Sequence, residues 1–234
     1  MRAIFRAQHL TPPAPLPRSA DSALREGMEQ FCRRAAELMR AAALVDGTEP
    51  GLLLPADYET ARRRGLAAAG RVLTDTARGK PQIAYYRSLT AEGLSPAPDA
   101  IDTLAERVWV LEDRCGLADS YLRAVVDAAL QRGAPCVICP SPLRNDRLEA
   151  VFLPAQRAAF LSMNAAGELS GAQVRRVHLD RIPDAERRRA LRQTLRENRR
   201  ASDALLTRAA QNLASAGILR SLANDACEGA ATRV

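Results

Sequence analysis

Between residues 107 and 140, four features succeed one another in an order that few folds accommodate. RVWVL (107–111) is a compact apolar run, and EDRCGLAD (112–119) is a polar loop. SYLRAVVDAALQRG (120–133) carries its apolar residues on one helical face and ends at Gly133, and APCVICP (134–140) is apolar again. Strand, loop, helix and strand at this spacing make a βαβ unit. Such a unit implies a parallel pairing, with the helix covering one face of a sheet.

The flanks divide the chain into further segments. Residues 1–20 hold the proline-rich stretch QHLTPPAPLPRSA and read as an extended, mobile lead-in. Over 21–78, Leu24, Met28, Phe31, Ala35, Leu38 and Ala42 recur at intervals of three and four, and Leu66, Ala69 and Leu73 mark a second helix. Separated by VDGTEPG, the two helices are expected to form an antiparallel hairpin. Residues 79–182 carry the α/β core. Beyond the βαβ unit it has strands expected at IAYYR (83–87) and QVRRVHL (173–179), a short helix at 99–106, and LEAVFLP and RAAFLS as two strands across Pro154-Ala155-Gln156. Residues 183–234 are expected to be helical, with a break near Gly217. The expected class is α/β: a small, mainly parallel sheet flanked by helices, with helical hairpins at both ends.

In a P-loop protein, a strand delivers the chain into G-x-x-x-x-G-K-[ST]. The loop's amides and the helix N-terminus there cradle phosphate, the lysine neutralises it, and the hydroxyl holds magnesium. Residues 113–120 occupy that place and read Asp-Arg-Cys-Gly-Leu-Ala-Asp-Ser. Gly116 and Ser120 match the pattern. An ordinary strand-to-helix turn, capped by Asp119 or Ser120, fits the same residues. From Gly79 to Ser162 further blocks follow in order: Gly79-Lys80-Pro81, Thr90-Ala91-Glu92-Gly93, RVWVLEDRCGLADSY, LQRGAPCVICP and LEAVFLPAQRAAFLS. The tail ENRRASDALLTRAAQNLASAGI (197–218) comes later. In this succession the chain resembles an uncharacterised bacterial family of ATPase-like proteins built from tandem P-loop halves. The resemblance implies a P-loop NTPase-like core at 79–182. It also implies that the segment 21–78 is a helix pair closing a preceding half whose nucleotide core is missing.

The departures from that pattern bear on activity. Asp113 stands at the first glycine, Ala118 at the second and Asp119 at the lysine. Lys80 is the chain's single lysine and precedes Pro81, so it is no displaced Walker lysine. The family's acidic residue at the end of the second hairpin strand falls at Ser162. A carboxylate about 4 Å from a phosphate costs ~1 kcal/mol in water-like surroundings and ~4 kcal/mol at an effective dielectric of 20. The expectation is a catalytically degenerate, non-hydrolysing domain with an assembly or regulatory role. Its vestigial phosphate loop would use Arg114, Gly116, Leu117 and Ser120. No cofactor is expected, and ATP with magnesium enters only if the loop still works. The expected partner is a protein, such as a chain supplying another P-loop half.

Other chemistry is sparsely supplied. Cys136 and Cys139 form a C-x-x-C, but on a strand positions i and i+3 face opposite ways, so the thiols should not meet. Zinc would need further ligands, and the other cysteines, Cys32, Cys115 and Cys227, are single. His178 beside Asp180 reads as a strand or surface histidine. Five cysteines, with no apolar leader after Met1, suggest reduced thiols in the cytoplasm. No apolar run approaches the ~20 residues of a membrane span, so no membrane is expected.

Net charge is +7, and 33 of the 34 basic residues are arginine. Eight of these lie between Arg181 and Arg200. On a helix, Arg189, Arg192, Arg196, Arg199 and Arg200 share a face, while Leu191, Leu195, Ala201 and Leu205 lean elsewhere. This stripe is either a solvated face or an anion-binding surface for nucleic acid or an acidic partner. Aromatic residues are 4% of the chain and none lies among these arginines, so base stacking is not favoured. An active ATP-binding protein with unconventional ligands is the third reading.

Overall fold

The computed structural model describes residues 9–16, 21–46, 51, 53–73, 78–97, 100–166, 169 and 173–231. It is an α/β structure with a six-stranded, mostly parallel sheet flanked by helices. The strands are β1 (Gln82–Ile83), β4 (Arg107–Glu112), β5 (Val137–Pro140), β6 (Leu148–Leu153), β7 (Ala158–Ser162) and β8 (Gln173–His178), in the order β1-β5-β6-β7-β4-β8. Only β6 runs against the others: it pairs antiparallel with both β5 and β7, whereas β1–β5, β7–β4 and β4–β8 are parallel. The stretch expected as one strand over 83–87 is split between β1 and a separate antiparallel hairpin of β2 (Arg87–Thr90) and β3 (Gly93–Pro96). Thr90 to Gly93 is its turn, and Gly93 takes the positive φ (+116°) that favours glycine.

The expected βαβ unit is present but opened. The strands β4 and β5 point the same way and are joined by α4 (Ala118–Gln131), yet they are not neighbours. The β6–β7 hairpin stands between them.

Alternation within β4 separates two cores. Trp109 and Leu111 face α4 and α2 (Pro55–Val72). Val108 and Val110 face the opposite side, where α3 (Ala100–Leu104), α5 (Met163–Ala166) and Tyr86 pack. On the first side the two helices touch backbone to backbone: a Cβ on Gly65 of α2 would lie 2.4 Å from the Tyr121 carbonyl oxygen of α4.

The terminal helices do not form the expected hairpins. The helix α1 (Ser22–Asp46) packs along α6 (Ala185–Ala231), while α2 packs on α4. The C-terminal segment is one helix of 47 residues that runs through Gly217 without a break. Beside that glycine, Leu213, Ala216 and Ala223 are buried against α1 residues such as Ala35, Met28 and Leu24. This packing offsets the roughly 1 kcal/mol that an interior glycine costs a helix. Within the proline-rich lead-in, residues 9–16 are docked, with Leu10 bridging Leu89 of β2. The Thr11 N–H donates to the Leu89 carbonyl and the Leu89 N–H to the His9 carbonyl, both at 2.9 Å, and Leu16 is buried. The rest of that segment lies outside the described residues. No helix among the described residues is long and apolar enough to cross a membrane.

Candidate functional site

In open sheets, ligand clefts form at the carboxyl ends of parallel strands. Here a cavity of about 570 Å³ lies at that place. Its floor is the loop after β4 (Asp113, Arg114, Cys115, Gly116) and the start of β6 (Leu148, Glu149), with Ser162 from the end of β7 and Arg87 from β2. One wall is the β5–β6 connection with Arg144 and Arg147. The roof is the first half of α6, with Arg188, Arg192, Arg196 and Arg199.

The loop after β4 is filled from within. Asp113 Oδ1 accepts the amides of Cys115 (2.9 Å) and Gly116 (3.0 Å), and Oδ2 accepts that of Ala118 (2.6 Å). Neither Asp119 nor Ser120 caps α4, which has Leu117 at its N-cap, and Asp113 serves the helix terminus from five residues back. Burial pushes the Asp113 carboxyl up, against the amides that hold it down. Gly116 has φ +94°, and a Cβ there would lie 3.0 Å from the Arg147 guanidinium. Asp119 holds β6, accepting the Leu148 N–H at 2.8 Å and pairing with Arg123 at 2.7 Å.

Of the residues expected at the loop, Arg114 and Gly116 line the cavity, while Leu117 is buried in the core and neither it nor Ser120 lines the cavity. The Arg114 backbone amide donates to Asp180 (2.6 Å) and its side chain pairs with the same carboxylate at 3.8 Å.

Of the arginine stripe, Arg192, Arg196 and Arg199 turn into the cavity, and Arg189 and Arg200 do not. The sequence reading missed Arg188. At about 100° per residue it lies about 40° from Arg192 and near Leu195, on the side assigned to the leucines. Leu191 and Leu195 line the same cavity, so the helix presents a mixed face rather than a purely basic one. Arg199 pairs with Asp203 at 3.9 Å and Arg144 with Asp146 at 2.8 Å. The guanidinium groups of Arg192 and Arg196 form no hydrogen bond or ion pair among the described residues. Burial lowers the Arg147 guanidinium, so an anion beside it would favour its charged form.

A buried ion pair lies at the base. Glu149 is 3% exposed, and its Oε2 accepts Arg87 Nε at 3.1 Å and a terminal guanidinium nitrogen at 2.7 Å. Arg87 also donates to the Asn164 carbonyl at 2.7 Å. The start of α6 is tied down by Arg187, which pairs with the buried Asp57 of α2 and with Asp184.

Asp113, Cys115 and Asp180 bring possible metal-ligand atoms within 4.8 Å of one another. Both carboxylates already take backbone amides. Burial, and then the charges of Asp113 and Asp180, pushes the Cys115 thiol up to about 12. The cluster is better described as loop scaffold. Cys136 and Cys139 are free and lie in cores on opposite faces of the sheet, as the strand spacing implies. His178 pairs with Glu112, not with Asp180.

No protein-family model matches this chain, and no curated protein or solved structure matches it either.

Proposed function

We propose that this chain is a non-hydrolysing, P-loop-like α/β protein that binds a small phosphate-bearing anion in the cavity under α6 and acts in assembly or regulation. The observation that carries the reading is the unpaired state of Arg192 and Arg196 over a concave site at the strand ends, with Arg147 and Arg188 beside them. Arginine suits phosphate because its planar fork gives parallel N–H donors. Loss of hydrolysis follows from the loop. The amides that would cradle a phosphate already serve Asp113, and the lysine's place carries a negative charge engaged with β6. The concave, roofed shape favours a small anion over an extended nucleic acid. A ligand that is held without turnover suits a regulatory role toward a protein partner, such as a chain bearing another P-loop half.

Calorimetric titration with inorganic phosphate, pyrophosphate and Mg-ATP tests this. Binding of at least one of them is expected, weakened about tenfold or more in R192A/R196A, with no release of phosphate from ATP. Silence toward all three anions, or ATP turnover abolished by S120A, overturns the reading. A D113G/A118G/D119K variant is expected to gain affinity for Mg-ATP over the native chain.

A further inference from the structure

We infer that the ligand of this cavity is a phosphorylated small molecule that also carries a hydroxyl or amino donor, and that Glu149 reads that donor; this rests on the anion-binding reading above. Buried polar atoms in folded proteins are paired almost without exception, and an unpaired one asks for a cause. Two such atoms belong to side chains that line this cavity, and both are themselves closed off from solvent. Among the described residues Glu149 Oε1 has no hydrogen-bond partner, Arg87 being bonded to Oε2, and Arg188 Nε has none. One is an acceptor and the other a donor. Inorganic phosphate at neutral pH presents mainly acceptor oxygens. It would answer Arg188 and be repelled by the Glu149 carboxylate. A ligand that offers an anionic oxygen at one point and an O–H or N–H at another answers both.

Size agrees with this. A cavity of about 570 Å³ falls within the range of sites for whole small molecules, well above the needs of one phosphate. The pair with Arg87 fixes the orientation of Glu149, so its free oxygen is a preset acceptor rather than a mobile one.

The test compares two phosphate monoesters by calorimetry: methyl phosphate, which has no hydroxyl, and ribose 5-phosphate, which has several. The native chain is expected to bind ribose 5-phosphate at least about tenfold more tightly, since a site built to bond a hydroxyl discriminates strongly against its absence. E149Q keeps the shape. Its carbonyl oxygen turns to Arg87 and its amino group takes the place of Oε1, converting the acceptor to a donor. The preference should then fall below about threefold, with methyl phosphate, freed of the carboxylate's repulsion, binding at least as tightly as it does to the native chain. Equal affinity of the native chain for both esters overturns the inference and leaves the anion reading standing. So does a preference untouched by E149Q, which would mean that a water serves Oε1. If neither ester binds and the phosphate, pyrophosphate and ATP titrations are also silent, the anion reading itself falls. Should E149Q not fold, the native ratio alone decides.

Discussion

Asp113 Oδ2 accepts the Ala118 N–H at 2.6 Å, five residues along the chain, and through this bond a carboxylate from the end of β4 serves as the N-terminal cap of α4. With Oδ1 on the amides of Cys115 and Gly116, the side chain occupies the concavity that loop amides otherwise offer to an external anion. A residue that looks like a defect in a phosphate loop is therefore the loop's own internal ligand.

Asp113→Ala should destabilise the fold by about 1–2 kcal/mol, the usual cost of losing a helix cap. Urea denaturation would measure this. Hydrogen exchange should quicken at Cys115, Gly116 and Ala118 more than in β4. Unchanged exchange at those amides would show that the cap is dispensable.

The Arg87–Glu149 pair gives an asymmetric expectation. Removing one partner leaves a buried charge, so Arg87→Met should cost about 3–5 kcal/mol. The double variant R87M/E149M removes both charges and should recover most of that loss. Denaturation midpoints of the two variants and the parent would decide the matter.

Gly65 and Gly70 lie on the same helix and should respond oppositely to alanine. At Gly65 a Cβ meets the Tyr121 carbonyl oxygen at 2.4 Å, a backbone atom that cannot step aside, so Gly65→Ala should lose about 1–3 kcal/mol by overpacking. At Gly70 a Cβ meets nothing within 4 Å, so Gly70→Ala should gain up to about 1 kcal/mol from helix propensity. Thermal melts of the pair test the α2–α4 contact directly.

Glu112 supplies a pH prediction. Its carboxyl is held below the ordinary value of 4.5, chiefly by a hydrogen bond from Arg176 and further by His178. A depressed folded pKa stabilises the fold at pH above the unfolded value, and that share fades as pH falls below 4.5 toward the folded value. Stability measured against pH should therefore fall less steeply below 4.5 in E112Q than in the parent. Parallel curves would show that this pair adds nothing.

Much of the local structure was legible in the residue order. The 3.6-residue period marked α1 and α4, compact apolar runs marked β4 and β5, alternation marked β6 and β7, and the i, i+3 spacing of Cys136 and Cys139 placed their thiols on opposite faces. These features depend on near neighbours, whose geometry the backbone dictates. Half of the cavity was legible too: the loop after β4 and part of the arginine stripe were each singled out, but as separate candidates.

Their meeting is a tertiary fact. Periodicity reveals that a helix has an apolar face but not which partner covers it, because many apolar faces are mutually compatible and shape decides among them. So α1 chose α6 over α2, the β6–β7 hairpin entered between β4 and β5, and α6 crossed Gly217 unbroken with α1 packed beside it. The same packing swung Arg188, Arg192 and Arg196 over the loop that Asp113 closes. Sequence alone determined most of the helices and strands, the 83–87 stretch and the Gly217 region excepted, and which residues carry charge. Only the fold, by burying distant apolar faces against one another, decided that those charges share a cavity.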